Sequence, residues 1–174
     1  DPSVVTAVIG AMPLSPRTRA LVGRSSELDR VRRATGLGGE SAALDPGAAV
    51  LLSGDAGIGT SRLVAELAAE ARADGRLVVA GHCVGAGGDV RAWLPFVEVV
   101  AELARETPEV VAAVRTAQPA LGALCPGTTT PAATDPGLVA EALHTLLGTV
   151  GREHPLLVVV EDVHWADHSS RDLL

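Results

Sequence analysis

The feature that most constrains this chain is a change of pattern at Gly54. Ala48 to Ser53 (AAVLLS) is a continuous apolar run. Such a run predicts a strand buried on both faces of a parallel sheet. From Thr60 to Asp74 the pattern turns helical, with Leu63, Val64, Leu67, Ala68 and Ala71 on one stripe and Gly75 as the stop. A second apolar run, Leu77 to Ala80 (LVVA), follows at once. The chain therefore writes strand, helix, strand with tight connections, a βαβ unit that commits the fold to the α/β class with a parallel sheet.

The turn between the first strand and the helix is Gly54-Asp55-Ala56-Gly57-Ile58-Gly59-Thr60-Ser61. Strand before and helix after is the context a phosphate-binding loop requires. Glycines let the backbone curl so that successive N–H groups face inward as an anion nest. The helix N-terminus adds free donors and partial positive charge, and the Ser61 hydroxyl suits Mg²⁺. The spacing is G-x-x-x-x-G-T-S, so Thr60 stands where the phosphate-loop pattern has Lys. A charged hydrogen bond of the kind Lys makes to the β- and γ-phosphates is worth about 1.5–3 kcal/mol. Its loss weakens nucleotide binding about ten- to a hundredfold and phosphoryl transfer more. Arg62 follows, but the neighbouring helix position points about 100° away, so it is not taken to replace the lysine. The bland alternative is a glycine-rich turn that binds nothing.

Composition bears directly on Thr60. All 14 basic residues are Arg and none is Lys. A G+C-rich genome explains that bias on the surface. It explains Thr60 poorly, because Arg would have kept the charge. The absence of Lys also removes Schiff-base and lysine-base chemistry. The 174 residues, 47% of them hydrophobic, suffice for one domain with a core that Leu, Val and Ala must fill, since aromatics are 2%. The net charge of −7 argues against a nucleic-acid module. Cys83 and Cys125 make no disulfide framework or zinc cluster, and a reducing cytoplasm is the default compartment. No apolar run reaches the roughly 18 to 20 residues a membrane span needs. The Asp1-Pro2 start lacks signal-peptide character and reads as an internal cut or a processed start.

Residues 1–20 carry Pro2, Pro13 and Pro16 beside a short apolar patch, Val4 to Ile9, and read as a leader or linker with room for one docked segment. Residues 21–174 then read as the N-terminal part of a P-loop nucleotide-binding domain. Ser26 to Arg33 is a short helix. Pro95 opens a helix to about Glu106, and Thr107-Pro108-Glu109 caps another to about Ala117. Residues 118–134 read as a long surface loop. Asp135-Pro136 opens a helix with Leu138, Val139, Leu143, Leu146, Leu147 and Val150 on its apolar face. Leu156 to Val160 (LLVVV) is a third buried strand and delivers Glu161-Asp162 at its carboxyl end, where ligands of open α/β sheets gather. One carboxylate there can orient Mg²⁺ and the other can polarise an attacking water. An acidic pair alone is as often a surface or capping feature. In order after the glycine loop, it points to a P-loop NTPase. The chain stops on Leu173-Leu174, early in an apolar helical pattern, which predicts a fragment of a longer protein.

A family resemblance rests on these residues. Val22-Gly23-Arg24, Glu27-Leu28, GDAGIGTSRL (54–63), Gly81-His82-Cys83 and VVVEDVHWAD (158–167) resemble the ATPase module of large ATP-binding regulators of the LuxR family. Related modules occur in SARP-type regulators, and all belong to the signal-transduction ATPases with numerous domains (STAND). The resemblance covers about residues 21–174 and implies an ASCE/AAA-like P-loop fold, truncated after the acidic strand. It implies that Leu21, Val22, Gly23 and Arg24 sit near adenine and ribose. Gly54, Asp55, Ala56, Gly57, Ile58, Gly59, Thr60 and Ser61 would wrap the phosphates, with Arg62 beside them. Ser61 and Glu161 would hold Mg²⁺, Glu161 orienting it, and Asp162 would activate water. The sheet order it implies is 5-1-4-3-2, with strands 4 and 5 beyond this chain. Strands 1 and 3 are then expected to pair directly or to leave an edge that another chain fills. Strands 1 and 3 bridged within this same chain by an intact fourth strand would refute the fragment reading.

The function so implied is an ATP- or ADP-binding switch of a bacterial transcriptional regulator, deficient in hydrolysis because of Thr60. Its partners are nucleotide and the rest of its own chain or another copy, with no membrane and no direct nucleic-acid contact. The rivals are a competent slow ATPase and a non-binding scaffold. His82, Cys83, His164 and His168 match no zinc spacing. Trp93 and Trp165 are expected to pack, and Arg30, Arg32 and Arg33 to form a solvated helix face.

Overall fold

The computed structural model describes residues 4–9, 25–37, 49–53, 59–85, 92–127 and 135–174. In chain order these form β1 (Val4–Ile9), α1 (Ser25–Thr35), β2 (Ala49–Leu52), α2 (Thr60–Ala73), β3 (Leu77–His82), α3 (Leu94–Glu106), α4 (Pro108–Ala117), α5 (Pro136–Glu153), β4 (Leu156–Glu161) and α6 (His168–Asp172). Two 3-10 turns, Pro119–Leu124 and Val163–Trp165, complete the described elements.

β4 explains the layering. All six of its residues are buried, which an unbroken Leu/Val run permits only between two covering layers. Side chains alternate along a strand. Leu156, Val158 and Val160 enter one cluster with Val99, Val100 and Leu103 of α3 and Leu143 and Leu146 of α5. Leu157 and Val159 enter the other, with Leu63, Val64, Leu67 and Ala68 of α2 and Leu28 and Val31 of α1. The described part is thus a three-layer α/β arrangement with the sheet in the middle. The apolar stripe read on α2 is the face that packs.

The helix ends follow local chemistry. Asp135 caps α5 by accepting the Gly137 N–H at 2.8 Å, with Pro136 in the first turn where its missing N–H costs nothing. Asp167 does the same for α6, accepting the Ser170 N–H at 3.0 Å. The loop expected over 118–134 is in part ordered: Pro119–Leu124 is a 3-10 turn with Leu121 and Leu124 fully buried. Residues 128–134 lie outside the described residues.

All four strands are parallel, in the order β2-β1-β4-β3. This corrects the expectation for strands 1 and 3 of the sequence reading. They neither pair with each other nor leave their edge to another chain. Val4–Ile9 lies between them, pairing four residues of β2 on one side and all six of β4 on the other. The bridging strand comes from before the glycine loop, not from after the acidic strand. Within the stretch read as leader or linker, these six residues form a central strand. The physical reason is that VVTAVI is rich in the β-branched residues that strands favour.

β3 is the far edge, and two of its outward amides are satisfied by side chains. The Ala80 N–H donates to Glu102 at 2.8 Å and the His82 N–H to Glu98 at 2.7 Å. Two carboxylates one turn apart on α3 thus take the place of a fifth strand and blunt the edge. This needs α3 close to the strand, and Gly81 provides the room: a Cβ there would lie 2.0 Å from the Pro95 carbonyl oxygen.

A proline anywhere in a central strand deletes a ladder hydrogen bond. Ala7→Pro is therefore expected to destabilise the chain by about 3 kcal/mol in denaturant titration. Thr6 and Ala49 are register partners, and neighbouring strands lie about 4.8 Å apart, inside the span a disulfide bridges. The Thr6→Cys, Ala49→Cys pair should cross-link on mild oxidation. An unchanged stability and no cross-link would place Val4–Ile9 elsewhere.

Candidate functional site

The register of the sheet lines up four strand ends. Ile9 stands opposite Leu52 on one side and opposite Glu161 on the other, and His82 stands opposite Glu161 in turn. The carboxyl edge therefore reads Leu52, Ile9, Glu161, His82. Leu52 leads into the glycine loop, and Glu161 begins the acidic pair. The two halves of the sequence-predicted site thus open at one level of the sheet, two strand spacings or about 9.5 Å apart.

Of the expected nucleotide residues, Val22, Gly23, Arg24, Gly54, Asp55, Ala56, Gly57 and Ile58 lie outside the described residues, as does Leu21. Gly59 has φ +94, a left-handed conformation that favours glycine. Its carbonyl accepts the Leu63 N–H at 3.1 Å, which starts α2 at Thr60. Thr60, Ser61 and Arg62 form the first turn and are half-buried. No acidic residue occupies that turn, so nothing there offsets the positive end of the helix. Nη2 of Arg62 is buried with no hydrogen-bond partner.

The acidic end carries the strongest electrostatic signal. Glu161 is 0% exposed, and neither carboxylate oxygen has a hydrogen-bond partner. Burial pushes its pKa up to about 7; the charge of His82 opposes the rise and that of Asp162 adds to it. A buried carboxylate without donors is costly unless something charged meets it. A divalent cation fits that need by its chemistry, and Ser61 and Glu161 are the residues that would hold it. Asp162 has φ 59 and starts the Val163–Trp165 turn, its carbonyl accepting the Trp165 N–H at 2.7 Å. A left-handed non-glycine residue costs about 1 kcal/mol or more and persists where the surroundings hold it.

His82 lies 3.0 Å from Glu98 through Nδ1 and 3.9 Å from Glu161 through Nε2. Glu98 was invisible to sequence reading. Its one signal was the i, i+4 spacing with Glu102 on the helix after β3. Cys83 is buried, and desolvation first, then Asp167, Asp162 and Glu98, push its thiol up to about 11. That makes it a poor nucleophile and a poor metal ligand. Among the described residues no three His, Cys, Asp or Glu side chains come together to hold a metal. Trp93 is buried, as expected of a packing residue. Trp165 is not: it is 53% exposed, with its ring against Gly85, where a Cβ would come within 2.8 Å. Arg32 is paired with Glu70 of α2 and with Asp29, so this member of the arginine cluster ties α1 to α2 rather than facing solvent alone.

Compared with known proteins, residues 20–174 match the family model described as AAA ATPase domain. An uncharacterized protein of Rhizobium meliloti (strain 1021) is 33% identical over 150 residues, covering 74% of this chain. The chain spans 14% of that relative's length. No solved structure matches the chain. No helix among the described residues is long and apolar enough to cross a membrane.

The raised Glu161 pKa fixes the sign of a pH effect. The folded state keeps a proton that the unfolded carboxyl, near 4.5, has lost. Stability is then intact below about 4.5, falls as pH rises, and the loss is complete above about 7. Glu161→Gln removes that loss. With no nucleotide or Mg²⁺ present, the variant should exceed the parent chain by roughly 3 kcal/mol at pH 8 and match it near pH 4. Denaturant titrations at the two pH values check this; a constant difference would contradict it.

Proposed function

The chain belongs to the AAA ATPase domain family, and from that premise we propose that it is an ATP- or ADP-binding switch domain of a bacterial transcriptional regulator, deficient in hydrolysis. The observation that carries the reading is the common level of the two site halves, Leu52 before the glycine loop and Glu161 after β4, across one strand. In this account the glycine loop and the first turn of α2 bind phosphates through backbone N–H groups and the helix dipole. Val22, Gly23 and Arg24 face the base and sugar. Mg²⁺, when bound, neutralises charge on the phosphates. Ser61 and Glu161 would hold it on the protein side, and Asp162 would activate water. The orphaned carboxylate of Glu161 favours this reading over a scaffold that binds nothing, since a scaffold gains nothing from an uncompensated buried acid.

Thr60 removes the ammonium from the β- and γ-phosphates while leaving a hydroxyl on the helix. Binding then depends on dipoles, and the charge developing during transfer lacks its usual partner. Occupancy rather than turnover becomes the signal. It biases how this domain packs on the rest of its chain or on another copy, and an attached DNA-binding domain reads the outcome. The site of action is the cytoplasm.

Thr60→Lys is expected to tighten Mg²⁺·ADP binding about ten- to a hundredfold by calorimetry and to raise phosphate release from ATP above that of the parent chain. Equal release rates would favour a competent slow ATPase. No binding by either protein at about 100 µM, roughly 5.5 kcal/mol of affinity, would favour the scaffold.

A further inference from the structure

A cavity of about 420 Å³ opens at the amino end of the sheet, away from the acidic pair. Leu77, the first residue of β3, lines it at the sheet. Arg72 and Arg76 enter from the end of α2 and the turn after it, in the layer on one face. Glu106 and His154 enter from the ends of α3 and α5, in the layer on the other face. The volume lies within the range of small-molecule sites.

The cationic wall is preorganised. The Arg76 side chain is 11% exposed. Its Nη1 donates to the Thr35 carbonyl at 3.0 Å and its Nη2 to the Gly36 carbonyl at 2.7 Å, so the plane of the guanidinium is set. Its carboxylate contact is Asp74 at 3.5 Å, an exposed residue, which compensates the charge only in part. The side chains of Arg72 and Glu106 enter no ion pair; the neighbouring pairs are Arg76 with Asp74 and Arg105 with Glu102. Nor is the Arg72 guanidinium needed to close its helix. The last carbonyls of α2 are met by backbone donors: the Asp74 N–H on Glu70, the Gly75 N–H on Arg72 and the Arg76 N–H on Ala71. Guanidinium and carboxylate thus line one cavity from two layers without neutralising each other.

We propose that this cavity binds a small zwitterion of the α-amino-acid class. The ligand's carboxylate meets Arg72 and Arg76, its ammonium meets Glu106, and its apolar part covers Leu77. A simple anion is attracted by one wall and repelled by the Glu106 carboxylate, and a simple cation meets the reverse. Selection for a molecule with both charges therefore rests on repulsion of the others as well as on attraction.

The test uses three probes of one carbon skeleton on the whole chain: leucine, 4-methylpentanoate, which lacks the ammonium, and 3-methylbutylamine, which lacks the carboxylate. Calorimetry reads the affinities and backbone amide NMR reads the place. Leucine is expected to bind, and each truncated probe about ten- to a hundredfold more weakly, the loss of one charged hydrogen bond. The amides of Gly75, Leu77 and Thr107 should shift. Glu106→Gln is expected to erase the preference for leucine over 4-methylpentanoate, and Arg72→Gln the preference over 3-methylbutylamine. Arg152→Gln, in the last turn of α5 but outside the cavity lining, should change neither. Arg76 is left in place because it ties the end of α1 to the start of β3. No saturable leucine binding below about 10 mM, equal affinity for 4-methylpentanoate, a preference that survives Glu106→Gln, or shifts confined to His82 and Glu161 at the other end of the sheet would each overturn the proposal.

Discussion

The pairing of Val4–Ile9 with both of its neighbours is the constraint on which the rest depends. β2 leads into the glycine loop, β4 ends in the acidic pair, and the two share no ladder. The hydrogen-bonded link between them passes through β1. Parallel strands admit no short hairpin to fix register, so the apolar faces must do it. β4 has one face on α3 and α5 and the other on α1 and α2. A slip by one residue would exchange those faces. The level meeting of Leu52, Ile9 and Glu161 is therefore a consequence of core packing, and the site inherits its geometry from the hydrophobic layers.

Much of this was legible in the amino-acid order. The Leu156–Val160 run, the stripe on α2 and the Asp135-Pro136 cap each carry a local signal that tertiary contacts reinforce. Val4–Ile9 carries a strand-like signal too, but a six-residue apolar run does not say where in a sheet it will lie. Three prolines around it made a linker the natural reading, and the sheet order implied by resemblance assigned the slot to a later strand. Pro119–Leu124 was hidden for a related reason, since two buried leucines among Pro, Ala and Gly show no periodicity. In the site, Glu161 and Asp162 were legible from the end of an apolar strand. Glu98 was not, because its role follows from where α3 lands on β3, and only Gly81 permits that approach.

The acidic end of β4 differs from an ordinary core. A core would place an apolar residue at the end of β4; the chain places a sealed carboxylate there, beside a left-handed aspartate. Both are unfavourable in isolation. The fold holds them through β3 on one side, with the Cys83 N–H donating to the Glu161 carbonyl at 3.0 Å, and through the Val163–Trp165 turn beyond. The first turn of α2 contains no acidic residue. The strand that leads towards that helix and the strand that ends in the acid are level at Leu52 and Glu161.

The account stands on β1 holding those two halves in one sheet. Hydrogen exchange of the backbone amides, read segment by segment with and without Mg²⁺·ADP, tests this most directly. Central strands exchange only through large openings. The account predicts that residues 4–9 are protected to the same degree as residues 156–161, and that nucleotide raises both together. Exchange of residues 4–9 at the rate of an unstructured chain, beside a protected β4, would contradict it.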